Sequence, residues 1–137
     1  MNNYSEKFEK MRIAGKVASK TLDMITDHIK PGITTEKIDQ MCYEFIKDNG
    51  GHSAPLFYRG YKKSVCTSLN HVICHGIPSD RTLEEGDILN IDVTAIVNDY
   101  YQNYIIAKKA GVNFLAYRCK ISPKEIKIEK KIKIIDE

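Results

Sequence analysis

The sequence predicts an α+β domain in which two N-terminal helices pack on an antiparallel sheet. Three observations carry that expectation. Apolar residues recur in steps of three and four through the first fifty positions, the pattern changes to short β-rich runs after Gly50-Gly51, and turn-forming pairs such as Asn70-His71 and Asn98-Asp99 separate those runs.

The first helix is expected to start at Ser5 as its N-cap and to bury Phe8, Met11, Ala14, Ala18, Leu22, Ile25 and Ile29 along one stripe, with Pro31-Gly32 ending it. A second helix starts at Thr34 or Thr35 and buries Ile38, Met41, Cys42, Phe45 and Ile46 until Asn49-Gly50-Gly51 stops it. Residues 64–69 and 72–75 read as two strands around Asn70-His71. Ile88–Val97 reads as a longer one. In that strand Leu89, Ile91, Val93, Ala95 and Val97 fall on one face, whereas Asp92 shares the other with Asn90 and Thr94. Residues 100–107 are expected to return as its antiparallel partner. Beyond Gly111 lysine and isoleucine nearly alternate, which suits an edge strand and equally a low-complexity tail. The expected division is therefore residues 1–107 as one domain and 108–137 as a divergent Lys/Ile-rich tail.

At 137 residues one core is affordable in size, and 42% apolar with 28% charged residues is the balance of a globular chain. No apolar run reaches membrane-spanning length and no secretory pattern opens the chain, so a cytoplasmic location is expected. The four cysteines, Cys42, Cys66, Cys74 and Cys119, form no C-x-x-C pair and are expected to be free thiols. Residues 1–107 hold 12 basic and 14 acidic groups, whereas 108–137 hold 9 and 4, so the basic excess belongs to the tail. No nucleic-acid motif accompanies it, and neither nucleic acid nor membrane is expected as a partner.

Two segments are more specific than any periodicity. One is Lys63-Ser64-Val65-Cys66-Thr67-Ser68-Leu69-Asn70-His71-Val72-Ile73-Cys74-His75-Gly76-Ile77-Pro78, and the other is Gly86-Asp87-Ile88-Leu89-Asn90-Ile91-Asp92-Val93-Thr94. In this order and at this separation they resemble type I methionine aminopeptidases, peptidases of family M24. The resemblance begins near Lys10-Met11-Arg12, passes through Lys30-Pro31-Gly32 and fades at about Ala107, which is less than half of a family member.

That resemblance implies one half of a pita-bread fold and removal of the initiator methionine from nascent proteins by a pair of divalent metal ions (cobalt, manganese, iron or zinc). Asp92 matches the first of the family's five metal ligands, two Asp, one His and two Glu. The second aspartate is expected eleven residues on, where this sequence has Asn103, so that ligand is lost. His75 matches a histidine that contacts the scissile amide, and Tyr58, Tyr61 and Cys66 match positions lining the pocket for the methionine side chain. His28, His52 and His71 have no such context.

The chemistry can be weighed without the family. Making hydroxide from metal-bound water at neutral pH requires a firmly held dication, and one carboxylate does not hold one. Asn103 offers a neutral carbonyl oxygen, without the charge that offsets a dication. The expected function is thus that of a methionine aminopeptidase-like protein, catalytically incompetent as this chain stands. The alternatives are a non-catalytic peptide- or partner-binding module and the product of a degraded gene, with self-association as one means of covering an open apolar face.

Overall fold

A computed structural model describes the backbone of residues 4–98, 100–109 and 112–117 and the side chains of residues 8–98. The chain runs α1 (Tyr4–Thr26), α2 (Thr35–Asp48), β1 (His52–Ser53), a one-turn 3-10 helix (Tyr58–Gly60), β2 (Cys66–Leu69), β3 (Ile88–Val97), β4 (Tyr100–Lys109) and β5 (Val112–Tyr117). The five strands form one antiparallel sheet. As expected from the sequence, two N-terminal helices lie on it, α1 against β3 and β4 and α2 against β1 and β2.

The strand predicted over 88–97 is present with its predicted alternation. Leu89, Ile91, Val93 and Ala95 are at most 1% exposed and Val97 is buried, facing Ala14, Val17, Ala18, Leu22 and Ile25 of α1 and Ile38, Cys42 and Ile46 of α2 within one core. Strand β4 returns antiparallel in register from Val97 opposite Tyr100 to Ile88 opposite Lys109. The turn begins with Asn98 in the left-handed region (φ 49°), a conformation in which asparagine is favoured over other side chains. The Lys/Ile stretch at 125–135 and Cys119 lie outside the described residues.

Helix α2 starts where its cap dictates. Thr34 is extended and its hydroxyl accepts from the Lys37 amide at 3.1 Å. The next two free amides are also met: Thr35 N donates to Arg81 O and Glu36 N to Ser79 O, while the Thr35 hydroxyl donates to Ser79 O and accepts from Ser79 N. Residues 79–83 are thereby strapped across the helix start, and Leu83 is driven into the core at 1% exposure. Thr34→Ala is expected to lower stability by about 1 kcal/mol, measured by urea denaturation.

Four local expectations are corrected. Ser5 lies within α1 and does not cap it, since the helix already includes Tyr4. The helix ends at Thr26 and not at Pro31-Gly32. The Thr26 hydroxyl donates back to Leu22 O, and the chain turns at 27–28 so that Ile29 enters the core from outside the helix. Lys30, preceding a proline, is disfavoured in helix in any case. Phe8 continues the apolar spacing but is 51% exposed, because the buried stripe begins at Ala14. Residues 72–75 form no strand, since only Gly76 makes a ladder-like contact there, accepting from Thr67 N at 2.8 Å.

Candidate active-site face

Antiparallel register places Cys66 of β2 directly opposite Asp92 of β3, and directly opposed residues project from the same face of a sheet. The alternation that buries Ile91 and Val93 beneath the helices leaves Asp92 on the other face, half-buried. Its Oδ1 is enclosed and has no hydrogen-bond partner among the described residues. Burial raises the Asp92 carboxyl above the ordinary aspartate range, and the charge of nearby His75 partly offsets that rise.

Tyr61 closes one side of this face. Its hydroxyl donates to the Val65 carbonyl at 2.8 Å and lies 3.5 Å from Cys66 Sγ. Burial, followed by the contact with Cys66, pushes the phenol upward, so it stays protonated and available as a donor. The Cys66 thiol is likewise raised, first by burial, against the lowering effect of the Tyr61 hydrogen bond. Cys66 thus presents a protonated, weakly polar and polarisable thiol.

Local backbone constraint presents His75. Gly76 lies so close to β2 that a Cβ there would fall 2.1 Å from Thr67 O, its amide donates to Ser68 Oγ, and its carbonyl accepts from Thr67 N. The preceding His75 turns into place with φ 55° and is exposed. A non-glycine residue in that region is strained and is held by its surroundings. The sequence-predicted residues Tyr61, Cys66, His75 and Asp92 are thus brought together. Tyr58 is 65% exposed in the 3-10 turn, with the Arg59 guanidinium 5.5 Å over its ring. Asn103 sits opposite Thr94, two pairs along the ladder from Asp92–Ile105 with Val93–Tyr104 between them, and its side chain is outside the described residues.

Asp39, on α2, was not legible as a support of this face. Its Oδ1 accepts from both Ser64 N (2.7 Å) and Val65 N (2.9 Å), immediately before Cys66, and the residue is 7% exposed. The only sequence signal was an acidic residue beside Ile38 on the buried stripe of α2. Burial raises its carboxyl, against the two backbone hydrogen bonds.

Residues 9–106 match the metallopeptidase family M24. The chain belongs to that family. Over 94 residues it is 55% identical to the methionine aminopeptidase of Rickettsia prowazekii, covering 69% of this chain and 36% of that protein. It is 48% identical to the Escherichia coli K12 methionine aminopeptidase over 98 residues, 70% of this chain and 37% of the relative. The crystal structure of the Rickettsia prowazekii enzyme superposes with a TM-score of 0.77 at 49% identity, covering 79% of this chain and 44% of that one. A prolidase from Pyrococcus furiosus, 21% identical, shares the fold with a TM-score of 0.65 over 75% of this chain and 31% of its own. This M24 chain is methionine aminopeptidase-like and spans about a third of the length of the curated relatives it matches.

A metallopeptidase family implies divalent metal. The orphaned Asp92 Oδ1 suits one metal–oxygen bond. Among the described residues, however, no group of three or more His, Cys, Asp or Glu side chains could hold an ion. The described donors therefore do not fit a pair of dications. No described helix is long and apolar enough to cross a membrane.

Proposed function

We propose that this chain carries the methionine-recognition face of a methionine aminopeptidase and, by itself, binds N-terminal methionine peptides without hydrolysing them. The observation that carries the reading is the opposition of Cys66 and Asp92 with the Tyr61 hydroxyl against the thiol. A thioether side chain is soft and flexible and gains from contact with sulfur and aromatic edges, which Cys66, Tyr61 and the exposed Tyr58 offer. His75, an exposed imidazole near Asp92, would hydrogen-bond the amide that follows the first residue. Asp92 is the one inherited metal ligand, and Asn103 replaces the second with a neutral amide. Among the described residues this face holds a single carboxylate, too few donors to select among cobalt, manganese, iron and zinc.

The absence of hydrolysis follows from coordination. Lowering the pKa of a bound water to about 7 takes a cation held by several anionic or imidazole ligands. The 137-residue chain incubated with Met-Gly-Ser peptide and cobalt, manganese or iron(II) is expected to release no methionine. Calorimetry should register binding of Met-Gly-Ser but not of Glu-Gly-Ser, and Cys66→Trp, which fills the pocket, should abolish it. Methionine release lost on Asp92→Ala would overturn the non-catalytic part. Equal binding of the two peptides would overturn the pocket.

A further inference from the structure

We infer that Asp39 is a positioning residue: its carboxylate fixes the backbone of Ser64 and Val65 so that Cys66 and Tyr61 form one wall of the methionine pocket. The assignment of that wall to methionine rests on the function proposed above; the clamp itself rests on geometry alone. One oxygen of a carboxylate on α2 accepts two consecutive amides at 2.7 and 2.9 Å from a segment 25 and 26 residues away. Two charge-assisted hydrogen bonds to successive amides define the position and the tilt of that peptide. The next residue is Cys66, which starts β2, and the carbonyl of Val65 is the acceptor of the Tyr61 hydroxyl. Asp39 therefore determines where both the thiol and the phenol lie, although it touches neither.

The surroundings show why this connection needs a clamp. Residues 54–65 leave β1 and rejoin the sheet only at Cys66, with Phe57 and Arg59 in the left-handed region and Phe57 79% exposed. Between β1 and β2 the described backbone contacts are local ones, such as Phe57 N to Tyr61 O, together with Ala54 N to Thr94 O. Lys63 pairs with Glu36 on the exposed side of α2, a contact that surface screening makes weak. Val65, the end of the segment, is buried in the same core as Ile38, Cys42 and Ile46 of α2, and Asp39 adds the polar tether that sets the direction of its peptide.

The test is site-resolved alkylation of the 137-residue chain by iodoacetamide, read by mass spectrometry. Exposed Cys74 serves as the internal reference and buried Cys42 as the reporter of unfolding. Asp39→Ala is expected to raise the Cys66 rate relative to Cys74 at least fivefold while Cys42 stays protected, and Asp39→Asn, which retains the acceptor oxygen, is expected to stay within twofold of the parent. Should Asp39→Ala expose Cys42, the comparison passes to Asp39→Glu, whose longer arm misplaces the acceptor but keeps the charge, with the same fivefold rise expected. Unchanged Cys66 rates with Cys42 protected would overturn the inference, and so would exposure of Cys42 in both variants, which would reduce Asp39 to a purely structural role. Protection of Cys66 by Met-Gly-Ser peptide is a separate arm: its absence, with the variant rates as expected, would remove the methionine assignment and leave the clamp.

Discussion

Gly76→Ala is expected to destabilise the protein by about 3 kcal/mol, measured as a fall in the urea midpoint without a change in slope. A Cβ at that position would lie 2.1 Å from the Thr67 carbonyl oxygen, 2.7 Å from its carbon and 2.8 Å from Ser68 Cα. These are main-chain atoms of β2, whose four residues are in register with β3, so the strand cannot recede without breaking its ladder. The segment must move instead, and it then loses the Thr67 amide bond and the Gly76 bond to Ser68. Gly60→Ala is the matched control. Gly60 has a positive φ of 84° but nothing within 4 Å of a Cβ, so only the backbone preference is lost, about 1 kcal/mol. The difference between the two variants isolates close approach from conformational preference. Because His75 precedes Gly76, the same substitution should shift the His75 ring resonances in an NMR spectrum, whereas Gly60→Ala should leave them in place.

Asp92→Asn is expected to stabilise the chain at pH 7, by about 1 kcal/mol, because it removes a charge from a half-buried position whose enclosed oxygen has no partner among the described residues. The pH dependence gives the sign. Burial holds the Asp92 carboxyl above its ordinary value of 3.8 in the folded chain. Its contribution to stability is therefore fully present below 3.8 and is lost as pH rises through the raised folded-state value. Asp39 contributes in the same sense, since burial raises it too. Asp87 opposes them: the Asn70 side-chain hydrogen bond, with the Glu84 amide, holds it low, so its contribution is lost as pH falls. Thermal midpoints of the parent measured from pH 4 to 7 should lie above those of Asp92→Asn at the acidic end relative to the neutral end. An Asn variant less stable than the parent at pH 7 would mean that the carboxylate is already satisfied in solution.

Strand β3 was legible because a sheet covered on one face writes its burial directly into alternate positions, and α2 because Ile38, Cys42 and Ile46 follow the helical period between a threonine cap and a glycine stop. Tyr61, Cys66 and His75 were legible as candidates only through their motifs, since neither Tyr61 nor His75 stands out by periodicity. What could not be read were features decided by distant partners. Val72 to His75 has strand composition, yet the ladder beside β2 takes up Gly76 alone, and Val72 and Ile73 remain exposed. Asp39 resembles a stray acid on an apolar stripe until Ser64 and Val65 arrive above it from 25 residues away. Helix α1 stops early because Ile29 is better buried from a turn than from another helical residue, a competition that spacing alone does not register.

One edge of β3 is shared by two short strands, β1 opposite Ala95 and Ile96 and β2 opposite Leu89 to Asp92. The interval between them falls at Val93 and Thr94, so the excursion carrying Tyr58 and Tyr61 departs and returns on either side of it. Its length is thus decoupled from the pairing of either neighbour. Residues can be added to or taken from the outer part of that excursion, ahead of the Asp39 anchor, with the sheet undisturbed. The connection carrying Tyr58 and Tyr61 is in this way a replaceable cassette, grafted onto a frame that need not be rebuilt when its length changes.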